Sequence, residues 1–293
     1  MGIALVLVQP TRLGNYLYIP RGPVVKNFTS ELLQALTSHL LVVAQENNSI
    51  FIKIEPSLEE TTENQKLFSD LGFQRAVTFT QVEDAWLVDL SKSEEELLAD
   101  MRKTTRYLVR NEAKQGVTVE ISDQYSDAEK FVEMLFATSA RKNFVNHPKE
   151  YYLKQFEILS KDNEMRLFKA VKAGSIQSMA LISFYGEMAS YLHGASVAVE
   201  GQSVGYSLQW EAIREAKRRG MKYYNFWGVV KDKNFYPGHP WYGFSLFKRG
   251  FGGHKFTYLR AQDLPLSPKY LLYRNTEKLR RLRNRLTSGH WED

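Results

Sequence analysis

A chain of 293 residues with 43% hydrophobic and 25% charged content can bury one large core or two ordinary domains, and two is the expectation. Zero cysteines exclude a disulfide scaffold, a thiolate zinc site and a cysteine nucleophile, and they fit a reducing, cytoplasmic setting. The formal net charge is +6, but between positions 267 and 286 Lys269, Arg274, Lys278, Arg280, Arg281, Arg283 and Arg285 stand against one acid, Glu277, which leaves the remainder neutral. A basic pole on a neutral body suits a local anionic contact rather than a nucleic-acid coat.

The apolar start, Ile3 to Val8, is far shorter than the roughly 20 residues of a membrane span and carries no signal-peptide features, so it reads as a buried strand. Strand Tyr16 to Ile19, helix Ser30 to Glu46, strand Ile50 to Glu55, helix Glu60 to Leu71 and strand Ala85 to Leu90 follow. Ser30 serves as the expected N-cap, with Leu32, Leu33, Leu36, Leu40 and Val43 at helical spacing. One long helix is predicted from Ser93 to Gln115, stopped by Gly116. Its acids come early (Glu94, Glu95, Glu96, Asp100) and its bases late, which complements the helix dipole. Arg102, Arg106 and Arg110 nevertheless stack four residues apart, and a phosphate partner would relieve their repulsion.

A helix containing Phe131 to Ala140 leads to strands Arg166 to Val171, Ile176 to Phe184 and Ala189 to His193, with turns at Gly174 and Gly186. Helix Ser207 to Arg219 ends at Gly220, and strand Lys222 to Trp227 enters an aromatic, glycine-rich stretch that runs to His254. Two helix ends are alike, Leu67-Phe68-Ser69-Asp70-Leu71-Gly72-Phe73 and Leu246-Phe247-Lys248-Arg249-Gly250-Phe251. With the matching order of elements, they point to a duplicated domain. Leu272, Leu279, Leu282 and Leu286 give the C-terminal helix an apolar face, expected to dock on the first domain while its arginines face outward toward nucleic-acid phosphate or anionic lipid.

No GxxxxGK[ST], HExxH or GxSxG occurs, and the six histidines lack ligand spacing, so phosphoryl transfer, zinc hydrolysis and the hydrolase elbow have no support. No metal and no cofactor are expected. The stretch Tyr223-Tyr224-Asn225-Phe226-Trp227-Gly228, then Pro237 to Gly243 and Phe247 to Gly253, combines glycines for close backbone approach with aromatic walls. It reads as a lined pocket, the alternative being an aromatic core with a long loop. Tyr191 and His193, alternating along a strand, are placed on one face toward that pocket, where they orient an acceptor or relay a proton.

The chain resembles the Fem family of peptidoglycan bridge aminoacyltransferases. The segments that carry this are Tyr18 to Pro23, Phe51 to Pro56, Met101 to Arg106, Tyr191 to Ser196, Leu208 to Ile213, Phe226-Trp227-Gly228 and Phe247 to Gly253, in order along nearly the whole chain. The resemblance implies an α/β (α+β) fold of two N-acetyltransferase-like (GNAT) domains in tandem. The expected domains are 1–122 joined by the C-terminal helix 264–293, and 123–263. It also implies transfer of an amino acid from aminoacyl-tRNA to the stem peptide of a muramyl-pentapeptide precursor, nucleotide- or lipid-linked, at or near the inner face of the membrane.

In that light Lys248 is the residue nearest the chemistry. Two roles stay open for it: donating to the oxyanion that grows on the attacked ester, or holding a substrate phosphate. Arg141, in Arg141-Lys142-Asn143-Phe144, falls where the family carries an arginine-aromatic motif toward the precursor's diphosphate. Trp227, Tyr242, Phe247 and Arg249 complete the expected substrate-binding set. Two departures are that Asn225 stands where the family carries an aspartate, and that residues which usually precede the first strand, with part of the precursor site, have no counterpart here. Gln202-Ser203-Val204-Gly205-Tyr206-Ser207 approximates a pyrophosphate loop at a helix N-terminus, which keeps an acetyl-CoA-dependent acyltransferase as the alternative. A non-catalytic precursor- or tRNA-binding module is the rival from another class.

Overall fold

A computed structural model describes residues 2–142, 144–197 and 204–288. Asn143, Gln202, Ser203 and the side chains of Arg285 and Leu286 lie outside the described residues. In chain order, β1 (Gly2–Ile3), β2 (Leu7–Thr11), β3 (Gly14–Pro20) and β4 (Val24–Val25) precede α1 (Ser30–Glu46), β5 (Ser49–Glu55), α2 (Thr62–Ser69) and β6 (Gln74–Arg75). Then come β7 (Asp84–Asp89), α3 (Glu94–Asp100), α4 (Lys103–Lys114), β8 (Val117–Ser122), α5 (Tyr125–Lys142), α6 (Lys149–Lys161), β9 (Met165–Lys172), β10 (Ser175–Tyr185) and β11 (Met188–Ser196). These are followed by α7 (Tyr206–Arg218), β12 (Tyr223–Gly228), α8 (Tyr242–Arg249), β13 (His254–Thr257), β14 (Gln262–Pro265) and α9 (Lys269–Ser288). The chain forms two compact units, Met1–Ala85 with Val230–Asn234 and Phe256–Asp293, and Trp86–Val229 with Phe235–Lys255.

The first unit holds a five-stranded sheet in the order β2-β3-β5-β14-β6. β2 and β3 are an antiparallel hairpin, and β5 lies parallel to β3 after the crossover helix α1. Thr29, not Ser30, caps α1, its hydroxyl accepting from the Leu32 N–H at 3.3 Å. Leu33, Leu40 and Ala44 recur on one helical stripe and bury against Leu17, Ile19, Ile52 and Ile54. The predicted buried strand over Ile3–Val8 is two short strands instead, with Ile3, Leu5 and Val8 exposed.

α9 belongs to this unit, and it docks through a different face from the one expected. Tyr270 and Tyr273 pack tilted against Phe51, with ring centroids 5.2 and 4.8 Å apart. Arg274 donates to the Gln74 side chain and Arg281 to the Val77 carbonyl. Of the leucines predicted to dock, Leu272, Leu279 and Leu282 are turned outward, because rings that carry a hydroxyl fill the groove beside β5 while their oxygens find partners in Asp263 and Thr78.

The second unit is built on a seven-stranded sheet, β13-β7-β12-β11-β10-β9-β8. β8 to β11 run antiparallel in sequence, and β12 lies parallel to β11 after the crossover helix α7. One core cluster packs Leu208, Ala212, Ile213 and Ala216 of α7 with Val109 of α4 and the sheet residues Ala180, Ile182 and Phe226. A second cluster joins Phe131 and Leu135 of α5 and Phe156 of α6 to Leu167, Met179 and Leu181.

The single helix predicted from Ser93 to Gln115 is broken into α3 and α4. Met101 is extended (φ −63°, ψ 142°), which frees the Arg102 N–H to donate to the Gly250 carbonyl at 2.9 Å. Arg106 then donates to the carbonyls of Leu98 and Ala99, both at 3.2 Å, and satisfies the exposed end of α3. β7, α3, α4 and β8 lie in this second unit, whereas the sequence grouped residues up to 122 with the first domain. The hairpin, crossover helix, parallel strand, helix and strand of the first unit (β2-β3-α1-β5-α2-β6) repeat in the second (β10-β11-α7-β12-α8-β13).

Candidate active site

β11 and β12 are paired only at Met188–Tyr223, Ala189–Tyr224 and Ser190–Asn225, although β11 continues to Ser196 and β12 to Gly228. Past these three pairs the strands part. Asn225 is buried, and its Oδ1 accepts from the Trp227 N–H at 2.7 Å. This local side-chain turn holds Trp227 at φ +65°, a conformation unusual for a bulky residue. It redirects the end of β12, where the Gly228 carbonyl accepts from Lys248 Nζ at 2.7 Å.

Lys248 comes from the last turn of α8 and is only 7% exposed. Its ammonium lies 4.5 Å from the centroid of the Phe244 ring. No carboxylate among the described residues compensates its burial, which by itself lowers its pKa to about 7. An amine poised between charged and neutral in an aromatic surrounding is the least ordinary titratable group of this unit. Beside it, Phe247 meets Tyr206 at 4.9 Å and Phe251 at 5.2 Å, and Phe226 meets Phe251 at 5.0 Å and Tyr191 at 6.3 Å. Gly253 closes the turn after α8 at φ +86°, where an added Cβ would lie 2.1 Å from the Leu87 carbonyl oxygen.

Of the predicted set, Tyr191, Phe247 and Lys248 therefore gather around the parted strands, with Trp227 at the bend. Arg249 turns aside. Its guanidinium stacks over Phe235 at 4.1 Å and over Trp86 at 5.2 Å, and Phe235 in turn contacts Tyr242 at 4.9 Å. Tyr191 and His193 do not share a face. The register of β10 and β11 slips between Leu181 and Ile182, so Tyr191 opposes Ile182 while His193 opposes Leu181, and the extra residue, Leu192, reverses the alternation. His193 packs edge-on against Tyr152 at 4.9 Å on the α6 side, and burial lowers its pKa to about 4, which leaves it neutral and separated from any relay through Tyr191. Burial pushes the Tyr191 hydroxyl up to about 12. That hydroxyl folds back over Gly194, where an added Cβ would meet it at 1.8 Å.

The FemAB family profile matches residues 1–170 and 178–278. The chain belongs to the FemAB family. It is 23% identical over 324 aligned positions to a lipid II:glycine glycyltransferase of Staphylococcus epidermidis, covering 84% of this chain and 77% of that protein. The structure is similar to that of FemX, with a TM-score of 0.83 at 21% identity over 94% of this chain and 87% of the other. A tandem GNAT protein from the clavulanic acid biosynthesis pathway gives 0.50 at 13% identity over 86% and 76%. These likenesses agree with the tandem fold, and family membership makes the chain an aminoacyltransferase.

In this FemAB-family chain the N-terminus of α7 is already occupied. Glu112 of α4 is buried, and its carboxylate accepts from the N–H of Tyr206 (3.2 Å), the N–H of Ser207 (2.8 Å) and the Ser207 hydroxyl (2.5 Å). Helix N-termini attract anions, and here the anion is a side chain of the protein. Sequence reasoning passed over Glu112, although a lone acid among Arg102, Lys103, Arg106, Arg110 and Lys114 was a visible signal. Arg102 and Arg110 are exposed, and Arg110 lines an open depression of about 340 Å³ with Trp210, Glu211 and Arg214. Arg141, exposed at the end of α5, donates to the Ser196 carbonyl at 2.9 Å. Among the described residues no helix is long and apolar enough to cross a membrane, and no cluster of His, Asp and Glu has metal-site geometry.

Proposed function

We propose that the chain moves an amino acid from aminoacyl-tRNA to an amine on the stem peptide of a lipid-linked peptidoglycan precursor, at the parting of β11 and β12. The observation that carries this reading is the buried Lys248, without a carboxylate partner and held at the Gly228 end of β12, past the paired stretch, by the Gly228 carbonyl. The acceptor nitrogen attacks the ester carbonyl, a C–N bond forms as the C–O bond to the ribose breaks, and the ribose hydroxyl leaves with a proton. Negative charge grows on the carbonyl oxygen. The Lys248 ammonium serves as its donor, a contribution of about 3 kcal/mol for one fixed hydrogen bond in a site shielded from water. The aromatic side chains around it supply that shielding, and Tyr191 flanks the acceptor.

Trp227 and Tyr242 complete the binding surface in this reading, Arg141 faces the precursor's diphosphate, and Arg102 and Arg110 meet tRNA phosphates. Glu112 speaks against an acyl-CoA donor, because a pyrophosphate entering the N-terminus of α7 would have to displace a carboxylate already bound by two backbone N–H groups. The test is transfer from labelled aminoacyl-tRNA or labelled acetyl-CoA to a muramyl-pentapeptide acceptor. Label appears in the acceptor from the aminoacyl-tRNA. Label from acetyl-CoA alone overturns the donor assignment, and binding of both substrates without transfer overturns the enzyme.

A further inference from the structure

α9 has two faces with opposite roles. Tyr270, Tyr273, Arg274, Glu277 and Arg281, spaced three and four apart, face the first unit. The opposite side carries Leu271, Leu272, Leu279 and Leu282, of which the last three are 59%, 66% and 50% exposed. At 100° per residue these leucines and Asn275 form one stripe, with Lys278 on one flank and Arg283 on the other and with Lys269 and Arg280 beyond. All four basic residues are exposed. The helix therefore spends its aromatic rings on docking and leaves its aliphatic side chains to solvent.

We propose that this leucine stripe lies in the surface of an anionic phospholipid bilayer, with the leucines below the headgroups and the flanking cations among them. A tRNA would engage the cations but gives four exposed leucines nothing to pack against. A second copy would cover the leucines but would bring two strongly basic helices together. An anionic bilayer satisfies both features at once: apolar depth for the stripe and negative charge for its flanks. Lys278 and Arg283 have stems long enough to follow the leucines down while their charges stay in the headgroup layer. The inference rests on the acceptor being lipid-linked, since such an acceptor confines the reaction to a membrane surface.

Because the chain has no cysteine, a single introduced thiol reports one position. Leu279→Cys carrying an environment-sensitive dye shifts to the blue on phosphatidylglycerol-containing vesicles and is shielded from an aqueous quencher. Arg280→Cys, carrying the same dye, remains accessible. Co-sedimentation with these vesicles drops at least tenfold in Leu272→Ser/Leu279→Ser/Leu282→Ser, and also when phosphatidylcholine replaces the anionic lipid. Equal sedimentation of the wild type and the triple serine variant overturns the inference. So does a wild-type dimer that dissociates in the serine variant while neither binds vesicles, or a dye at position 279 that responds to tRNA and not to lipid. Transfer to a water-soluble muramyl-pentapeptide acceptor, measured in parallel, stays within twofold in the serine variant. Its absence in the wild type, with vesicle binding intact, counts against the proposed reaction and not against the lipid contact.

Discussion

Among the described residues each unit buries one lysine beside a parallel strand pair, and the two lysines live differently. In the first, β3 and β5 stay paired as far as Pro20–Glu55, and Lys53 of β5, 2% exposed, meets Asp263 of β14, its cross-strand partner, at 2.8 Å. Tyr270 donates to the other carboxylate oxygen at 3.0 Å, and Lys53 also donates to the Thr78 carbonyl at 2.7 Å. In the second, β11 and β12 part after three pairs, and Lys248 keeps the carbonyl contact but has no carboxylate. The repeated chain path thus makes a closed, charge-balanced sheet once and an open, uncompensated one once. In the function proposed above, charge compensation marks the structural copy and its omission marks the working one.

If Lys53 is structural, removing its partner should be the costliest change. Asp263→Ala strands a buried ammonium and the Tyr270 hydroxyl, at a cost of about 3–5 kcal/mol, read as a lowered denaturant midpoint. Little loss of stability would erase the contrast. Lys248→Ala removes no ion pair, so it leaves the fold intact and lowers transfer by roughly 10²–10³-fold, or about 3–4 kcal/mol in the barrier. Loss confined to KM would instead assign Lys248 to phosphate holding. The ratio of wild-type to Lys248→Ala rates declines as pH rises through about 7, where the ammonium is lost. Glu112→Ala leaves two buried N–H groups at the head of α7 unsatisfied and costs about 1–3 kcal/mol. An unchanged melting curve would mean that the head of α7 does not depend on the carboxylate, and would remove the case against a CoA donor.

Much of this contrast could not be read from residue order. Periodicity located α1 and α7 to within a residue because their apolar stripes face a core, and the ordered motifs from Tyr18 to Gly253 carried the family. The same reasoning failed where a local event broke a period. One extra residue at Leu192 put His193 on the far side of the sheet from Tyr191, and one extended residue at Met101 split a helix whose apolar pattern runs through the break. In α9 the leucines looked like the docking face, yet rings with hydroxyls took that role because Asp263 and Thr78 were in reach. The roles of Asn225 and Glu112 depend on backbone N–H groups that no spacing reveals. Lys248 stood out in sequence as a lysine among glycines and aromatics, but its lack of a partner is a property of the folded chain.

The smallest expected effect bears most directly on whether Lys248 is uncompensated. Burial lowers its pKa to about 7, whereas in the unfolded chain a lysine titrates near 10.4. Between those values the unfolded state holds more protons than the folded one, so stability rises with pH across that window. From pH 7 to 8 the gain attributable to this one group is about 1 kcal/mol, since it is half protonated in the fold at the lower value and almost wholly neutral at the higher. Lys248→Met fills similar volume without a charge to desolvate, so it should be more stable than the wild type at pH 7 and should lose that increment on going to pH 8. Denaturant titrations of the two proteins at both pH values isolate the difference. Parallel behaviour of wild type and variant would mean that Lys248 finds a counter-charge in solution, and the two lysines would then be alike.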